Sequence, residues 1–345
     1  MASTRVFLSH PSSLQHETGP HPERAARITA IESELAERGW LGFERTASPA
    51  VARPVLEAVH PAAYIDWLEE SSRTPVYLDP DTVAGPGSFE AALHSSGGAV
   101  RLVELLLGGS VATGFSAHRP PGHHADVARA GGFCLFNNVA VAARHALDNC
   151  EAQRVLIFDW DVHHGNGTND IFHASNHVLY VSIHQSPLYP GTGPASDVGS
   201  GDGAGFTVNL PVPPGADDHV FTSLVDHVVA PLARLFAPQL ILISAGYDAH
   251  REDPLAGCLL TEEGFRAMAT TVMALGAELE APVGAVLEGG YALEPLAQSV
   301  AATMDVMAGS VRAVGAGNER TTEIPPLVAE ARRRLSRWWP LLGPA

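Results

Sequence analysis

The 345-residue sequence predicts an α/β protein with three layers, in which helices cover both faces of an open, mostly parallel sheet. Short runs of aliphatic and β-branched residues alternate with longer stretches of helical spacing. Most of the short runs are apolar throughout, which is typical of strands that are buried on both faces. Polar clusters follow several of these runs directly, at the strand ends where such sheets bind ligands.

Five apolar runs predict strands, and three stretches of helical spacing predict helices. The expected strands cover residues 111–118, 154–162, 177–184, 239–248 and 282–291. The expected helices cover residues 88–107, 137–148 and 261–279. The Gly/Pro-rich residues 184–218 interrupt this alternation and predict a long loop.

The length favours one large domain over residues 1–345, because α/β folds of this size often form a single unit. Residues 309–345 are expected to form a C-terminal extension that packs on this domain. The extension contains a stretch with the pattern of an amphipathic helix. We therefore expect Trp338, Trp339 and Leu341 to pack on the body of the protein.

Composition excludes several classes of partner. The formal net charge is −17, from 38 acidic and 21 basic side chains, which argues against nucleic acid and would steer a cationic substrate favourably. No stretch approaches the roughly 20 apolar residues of a membrane span. The first residues lack the apolar core of a secretory signal, so we expect cytoplasmic residence. The cysteine spacing rules out a disulfide framework, and the sequence leaves a homo-oligomer open.

The stretch DWDVHHGNGTND, residues 159–170, follows an apolar run. Strand alternation would send Asp159, Asp161 and His163 to one face, while the intervening side chains point to the other. Asp161 and His163 then suit one divalent ion, and Asp248, at the end of another predicted strand, could supply a third ligand. Three protein ligands leave a position open for water, as in a catalytic zinc site.

Two further clusters follow predicted strands. The motif RPPGHHA contains His123 and His124, which could supply a general base and a positive charge beside a developing oxyanion. In LEGGYAL, Gly289 and Gly290 free the backbone, and Tyr291 could direct its hydroxyl toward a carbonyl oxygen.

Together these motifs, in this order, resemble the zinc-dependent histone deacetylase superfamily, which includes bacterial histone deacetylase-like amidohydrolases and acetylpolyamine amidohydrolases. The resemblance runs over nearly the whole chain, and NGT and SAGYDA are more similar to the class II branch. It rests on HETGPHPERAARI, RPPGHHA, GGFCLFNNVA, DWDVHHGNGT, SAGYDAHREDPL and LEGGY. It implies the arginase/deacetylase fold and hydrolysis of an acetyl amide.

The resemblance also implies a role for each matching residue. The implied zinc ligands are Asp161, His163 and Asp248. Asp159 would support His123, and Asn166 would support His124. A carboxylate neighbour favours an imidazolium, whereas a neutral amide does not, so we expect His124 to act as general base and then acid. His123 would be its electrostatic partner, and Tyr291 would help zinc to hold the oxyanion.

A substrate tunnel is also implied. Its implied contacts are Phe133, Tyr189, Gly132, Leu255 and Asp81. The rings of Phe133 and Tyr189 would grip the alkyl stem of the substrate from opposite sides. Asp81 would accept a hydrogen bond from the substrate backbone at the rim, with Asp79 as a close competitor for this role. Leu255 matches a position where polyamine-selective relatives often carry an acid.

Two further sites follow from the resemblance alone. A structural potassium ion would be bound by Asp159, by Ser182, and by main-chain oxygens of Asp161 and His163. Arg24 would line an internal channel for acetate release, with a surface salt bridge as the alternative.

The apolar Leu255 favours acyl-lysine in peptides or proteins over acetylpolyamines, which remain the alternative. Another small amide or ester is a third candidate. Two remote alternatives are a binuclear manganese ureohydrolase of the same fold and a protein that binds acyl-lysine without hydrolysing it. The presence of Tyr291 and both motif histidines argues against the binding protein. The sequence leaves open whether zinc or ferrous iron is used in the cell.

Overall fold

The structure is a computed structural model that describes residues 4–309 and 325–343. The strands are β1 (Arg5–Ser9), β2 (Glu44–Ala47), β3 (Val76–Tyr77), β4 (Val83–Ala84), β5 (Thr113–Ser116), β6 (Val155–Asp159), β7 (Val178–Gln185), β8 (Thr207–Val212), β9 (Leu240–Ala245) and β10 (Val283–Leu287). The helices are α1 (Ala26–Glu37), α2 (Arg53–Glu57), α3 (Ala62–Ser71), α4 (Ser88–Leu107), α5 (Asn138–Asn149), α6 (Asn166–Phe172), α7 (Asp218–Leu224), α8 (Ala230–Phe236), α9 (Glu262–Leu279), α10 (Leu293–Met307) and α11 (Pro326–Leu335). Within these described ranges, no helix is both long and apolar enough to cross a membrane.

Eight strands of the described chain form one sheet in the order β2-β1-β5-β10-β9-β6-β7-β8. Every neighbouring pair in it is parallel, whereas β3 and β4 form a small antiparallel hairpin. Because strand side chains alternate between faces, Leu156 and Phe158 of β6 pack with α1, α9 and α10, while Val155 and Ile157 pack with α4 and α5. The predicted three-layer α/β fold is confirmed.

The five predicted strands and three predicted helices are present, with shifted boundaries. Strands β1 and β2 were not predicted. Strand β8 lies inside residues 184–218, which were predicted as a loop, because its short apolar run is surrounded by Gly and Pro. The prediction that the strand 154–162 continues through the metal motif was wrong, since β6 ends at Asp159 and the residues after it are irregular.

The tail contacts the body through its aromatic residues. Trp339 Nε1 donates to the Gly205 carbonyl (2.8 Å), and Trp338 lies against the same glycine. The expectation for Leu341 was wrong, because its side chain is 85% exposed and the 3₁₀ turn at Pro340 buries Leu342 instead. Residues 310–324 and 344–345 of the predicted extension lie outside the described residues.

A fully buried ion cluster ties the segment before α1 to the residues after β5. Arg119 binds both carboxylate oxygens of Glu23, with Nη2 2.7 Å from Oε2. Arg27 Nη1 donates to Glu23 Oε1 (3.3 Å). Burial would raise the pKa of Glu23, but the adjacent Arg119 charge dominates and lowers this pKa to about 2. Glu23 therefore stays ionised and keeps both arginines in place.

Glu23→Gln would leave two buried guanidinium groups without a carboxylate, and we expect the free energy of unfolding to fall by about 3–5 kcal/mol at pH 7. Urea denaturation measures this loss. Because folding lowers the pKa of Glu23 from 4.5 to about 2, its ionic stabilisation is complete above pH 4.5 and is lost as the pH falls toward 2. The difference in the free energy of unfolding between wild type and variant should therefore become smaller as the pH falls from 4.5 toward 2.

Glu278→Gln is the matched control, since Glu278 pairs with Arg234 on the surface. Its denaturation midpoint should stay close to that of the wild type. An equal loss of stability in both variants would contradict the importance of the Glu23 cluster.

Candidate active site and metal centre

The loops that follow four neighbouring strands of the sheet build one site. In the sheet order these strands are β5, β10, β9 and β6, and all four are parallel. Their carboxyl ends therefore meet at one edge, where ligand sites of such sheets form. The loops after them carry residues 117–125, 288–292, 246–255 and 160–165. Residues that are distant in sequence come together here because of this topology.

Asp161, His163 and Asp248 form a buried group whose ligand atoms all lie within 4.8 Å of one another. His163 Nδ1 is 3.1 Å from Asp161 Oδ1 and 3.1 Å from Asp248 Oδ2. Two carboxylates and one imidazole are a donor set that suits a divalent ion such as zinc. The residues predicted as metal ligands thus lie together in a geometry that fits one ion.

Backbone amides orient the two carboxylates. His163 N–H and Gly289 N–H donate to Asp161, each at 2.8 Å, and Val162 N–H donates to Asp248 (2.9 Å). Gly289 has to lack a side chain, because a Cβ there would collide with Asp248 Oδ2 and Asp161 Oδ2. These contacts fix which oxygens face His163, as supporting contacts do in metal sites.

The electrostatics of the group favour a bound cation. Burial would lower the pKa of His163, but the neighbouring carboxylates of Asp248 and Asp161 raise it to about 10. Burial and the charge of Asp161 raise the pKa of Asp248. The same carboxylates that stabilise a positive charge on His163 would stabilise a bound divalent ion.

The tandem histidines have different partners. His123 Nδ1 lies 3.0 Å from Asp159 Oδ2, and His124 Nδ1 lies 2.8 Å from Asn166 Oδ1. The two ring centroids are 4.0 Å apart. Asp159 also accepts from the Tyr180 hydroxyl (3.0 Å), which fixes its orientation. Each histidine thus has the acceptor that the sequence predicted for it.

Because their surroundings differ, His123 and His124 have different protonation states. Burial would lower the pKa of His123, but the Asp161 and Asp159 carboxylates outweigh it and hold this pKa well above its ordinary value. Burial lowers the pKa of His124 well below its ordinary value, and the charges of His123 and His163 lower it further. The pair therefore contains one imidazolium and one neutral imidazole, which can accept a proton.

Glu288 was not predicted as a site residue. Its Oε2 accepts the N–H groups of Gly122 (2.7 Å) and His123 (3.1 Å), and its Oε1 accepts from the Ser244 hydroxyl (2.8 Å). Burial raises its pKa to about 7. The sequence signal was an acid directly after the apolar run VGAVL, at a position where a buried strand ends.

Tyr291 is buried against Phe133 and Arg27. Its ring lies 5.6 Å from the Phe133 ring, edge to face, and the Arg27 guanidinium lies 4.9 Å from its centroid. Burial raises the pKa of Tyr291 well above its ordinary range. Its hydroxyl therefore remains a neutral hydrogen-bond donor, as oxyanion stabilisation requires.

A cavity of about 190 Å³ leads to this group. Its lining residues are Asp81, His124, Gly132, Phe133, His163, Leu188, Tyr189, Leu255 and Tyr291. The five residues predicted to contact substrate are all among them, whereas Leu188 was not predicted. The Tyr189 ring lies 5.1 Å from the His124 ring. Gly132 has a positive φ of 54°, and the His124 ring occupies the space where its side chain would be.

Comparison with known proteins identifies the family. The family model described as the histone deacetylase domain matches residues 21–307. The chain belongs to the histone deacetylase family. A probable deacetylase of Archaeoglobus fulgidus is 40% identical over 294 residues, which are 84% of this chain and 81% of that protein. The histone deacetylase-like amidohydrolase of Pseudomonas aeruginosa is 37% identical over 289 residues, 83% of this chain and 75% of that protein.

The crystal structure of the HDA15 HD domain has a TM-score of 0.90 with this histone deacetylase family member. The two chains are 35% identical, and the match covers 99% of this chain and 97% of the other. The deacetylase and amidohydrolase relatives support a hydrolytic enzyme. The family is zinc-dependent in general, and the buried group at Asp161 could hold such an ion.

The rim carries two acids with different surroundings. Asp79 Oδ1 accepts the N–H groups of Asp81 (2.9 Å) and Thr82 (2.6 Å), so it closes the turn between β3 and β4. Asp81 lines the cavity instead. Thr82 Oγ1 accepts from Phe133 N–H (3.0 Å), which joins this turn to the aromatic wall. Of the two candidates, Asp81 is therefore the acid that faces the cavity.

The expectation that Arg24 lines an internal channel was wrong, because Arg24 is exposed. Arg27, one helical turn later, is fully buried and contacts the loop that carries Tyr291. Since Arg24 precedes α1 and Arg27 lies inside it, the helix directs only Arg27 into the protein. The residues predicted to bind potassium, Asp159 and Ser182, are buried neighbours on β6 and β7.

Gly289→Ala should weaken the binding of a divalent ion about 10- to 100-fold, because the new methyl group would displace the Asp248 and Asp161 carboxylates. Competition between the protein and a chromophoric zinc chelator measures this change. Gly85→Ala is the control, since the nearest atom to its added Cβ is 3.6 Å away, an ordinary contact. Wild-type zinc affinity in the Gly289 variant would show that these ligand positions are wrong.

Proposed function

We propose that this histone deacetylase family member is a zinc-dependent deacetylase that hydrolyses the amide of N-acetyl-lysine in peptides or proteins. The products are acetate and a free amine. One observation carries the proposal: His163 of the metal-binding group, His124 and Tyr291 all line one aromatic-walled cavity. Cytoplasmic residence remains part of this proposal.

The residues divide the reaction among them. Asp161, His163 and Asp248 would hold zinc, which would supply Lewis acidity to the amide carbonyl and the attacking water. Neutral His124 takes a proton from that water as its oxygen adds to the carbonyl carbon. The Tyr291 hydroxyl and the His123 imidazolium stabilise the negative charge on the carbonyl oxygen. His124 then returns the proton to the nitrogen as the C–N bond breaks.

The cavity walls favour acyl-lysine as the substrate. Phe133 and Tyr189 present flat rings that suit an alkyl stem, and Leu255 adds an apolar contact instead of a charge. Asp81 could accept a backbone N–H from a peptide. Asp81 at the cavity and the net charge of −17 of the whole chain would both attract a cationic substrate. These two observations favour an acetylpolyamine as the second candidate.

The remaining alternatives have less support. Among the described residues, one group of three ligands is found, and it suits a single ion instead of the two of a manganese ureohydrolase. The neutral His124 in the cavity wall argues against a protein that only binds acyl-lysine. We also propose that potassium is held near Asp159 and Ser182, because both are buried side by side.

Initial rates of the zinc-loaded protein on an acetyl-lysine peptide, N-acetylputrescine and N-acetylspermidine test the proposal. We expect the peptide to have the highest kcat/KM, and Tyr291→Phe to lower kcat about 100-fold or more, because the donor to the oxyanion is lost. Tyr247→Phe is the control, since this buried tyrosine packs against Trp160 and Phe265 instead of lining the cavity.

A higher kcat/KM for either polyamine than for the peptide would show that the second candidate, an acetylpolyamine, is the better assignment of the substrate. If no substrate were hydrolysed in a manner that depends on Tyr291, the proposed reaction would be wrong.

Asn166→Asp tests the assignment of His124 as the base. A carboxylate at this position would raise the pKa of His124, so the acidic limb of the kcat/KM profile should move up by about 1–2 pH units. A pH series from 5 to 9 measures the shift. Asn149→Asp makes the same change at the exposed end of α5, away from the site, and should leave this limb in place. An unshifted Asn166→Asp profile would assign the base to another group.

A further inference from the structure

One buried carboxylate outside the reaction scheme connects two walls of the cavity. Asp253 is 6% exposed, and its Oδ2 accepts the N–H groups of Tyr291 (2.6 Å) and Ala292 (3.3 Å). Its Oδ1 accepts the N–H of Leu255 (3.0 Å). A single side chain thus holds the backbone of the apolar rim residue and that of the oxyanion donor.

A basic side chain, that of Arg27, holds two carbonyl groups of residues 288–292, the segment that carries Tyr291. Arg27 donates to the carbonyl oxygens of Glu288 (2.5 Å) and Gly290 (2.6 Å), and its guanidinium lies against the Tyr291 ring. The carbonyls of Glu288 and Gly290 therefore face a buried cation, while the amides of residues 291 and 292 face Asp253. Hydrogen bonds from these two buried side chains fix the path of this short segment.

We propose that Asp253 is a positioning residue, which holds the backbone of Tyr291 so that its hydroxyl meets the developing oxyanion. The inference rests on the proposed deacetylation. Gly290 adopts a φ of +115°, a conformation that only glycine adopts readily, so the segment has few constraints of its own. Small changes in the backbone at Tyr291 would move the distant hydroxyl by a larger amount, and rates are sensitive to displacements of about 1 Å.

The chemistry of the position requires a carboxylate. Both oxygens of Asp253 accept from N–H groups, which only an acid of this size can do. An asparagine has one acceptor oxygen, and its NH₂ group would face either the Leu255 amide or the amides of Tyr291 and Ala292. Asp253→Asn therefore keeps the volume of the side chain and loses one of the two connections.

Three readouts on Asp253→Asn test the inference. We expect kcat on the acetyl-lysine peptide to fall about 10- to 100-fold, because a buried backbone N–H group loses its acceptor. Zinc affinity should stay within about twofold, since none of the hydrogen bonds of Asp253 reaches a metal ligand, and kcat should fall by a larger factor than KM rises. The amides of Tyr291 and Ala292 should exchange with solvent deuterium about tenfold faster.

Asp218→Asn is the matched control. Asp218 also uses both oxygens to hold a loop, accepting from the N–H (2.8 Å) and hydroxyl (2.6 Å) of Thr261, but it does not contact the cavity. This variant should keep the wild-type kcat and the wild-type exchange at residues 291–292. A loss of kcat as large as that of Asp253→Asn would overturn the inference.

A double-mutant cycle separates positioning from general damage. If Asp253 acts through Tyr291, Asp253→Asn should lower kcat less than about twofold in the Tyr291→Phe background. A trifluoroacetyl-lysine peptide, with its electron-poor carbonyl, keeps the residual rate measurable. The same loss in both backgrounds would overturn the inference, as would wild-type kcat in the single variant.

Hydrogen exchange keeps the two proposals distinguishable. Unchanged exchange at Tyr291 and Ala292 in Asp253→Asn would overturn the positioning role whether or not the protein is active. Absence of Tyr291-dependent hydrolysis in the wild type would refute the proposed function, and the positioning role in that reaction with it, even if exchange is faster.

Discussion

Two carboxylates and one imidazole share a buried position at the edge of the sheet, and the rest of the site is arranged around that concentration of charge. Asp161 and Asp248 would repel each other in a medium of low dielectric constant. The protein offsets this repulsion with backbone N–H groups from residues 162, 163 and 289, which come from the loops after two different strands. The positions of the metal ligands thus depend on the register between parallel strands as well as on the local sequence around Asp161.

The same charge also separates the two histidines chemically. His123 lies near two acids and remains an imidazolium, while His124, one residue further on, faces an amide and remains neutral. Adjacent residues of the same type therefore have opposite protonation states. The Glu288 carboxylate holds the backbone at His123, so this division also depends on the end of β10. The protonation states of the two histidines thus depend on nearby charges, on the strand order and on backbone hydrogen bonds.

The sequence predicted site residues that lie close together in the chain. Its predictions were weaker where the exact start of a helix or the path of a loop determines which side chain faces the site. The sequence paired Asp161 with His163 correctly, although β6 ends before both and irregular backbone places them, and the parallel fold class indicated that Asp248 would join them. The choice between Arg24 and Arg27 depended on where α1 begins, which HPERAARI does not specify. Asp253 lies within SAGYDAHREDPL, but this motif does not indicate its contact with the distant backbone of Tyr291. Leu188 lies in the Gly/Pro-rich segment, whose path the sequence does not specify.

The hairpin of β3 and β4 belongs to the smaller, two-stranded sheet, outside the parallel sheet that positions the catalytic side chains. It nevertheless supplies Asp81 to the cavity wall and, through Thr82, an acceptor for the backbone at Phe133. The acidic rim and one aromatic wall therefore change together when this hairpin changes, while the metal ligands do not. In evolutionary terms, this small peripheral unit is a place where substrate range can diversify through residues that are not metal ligands.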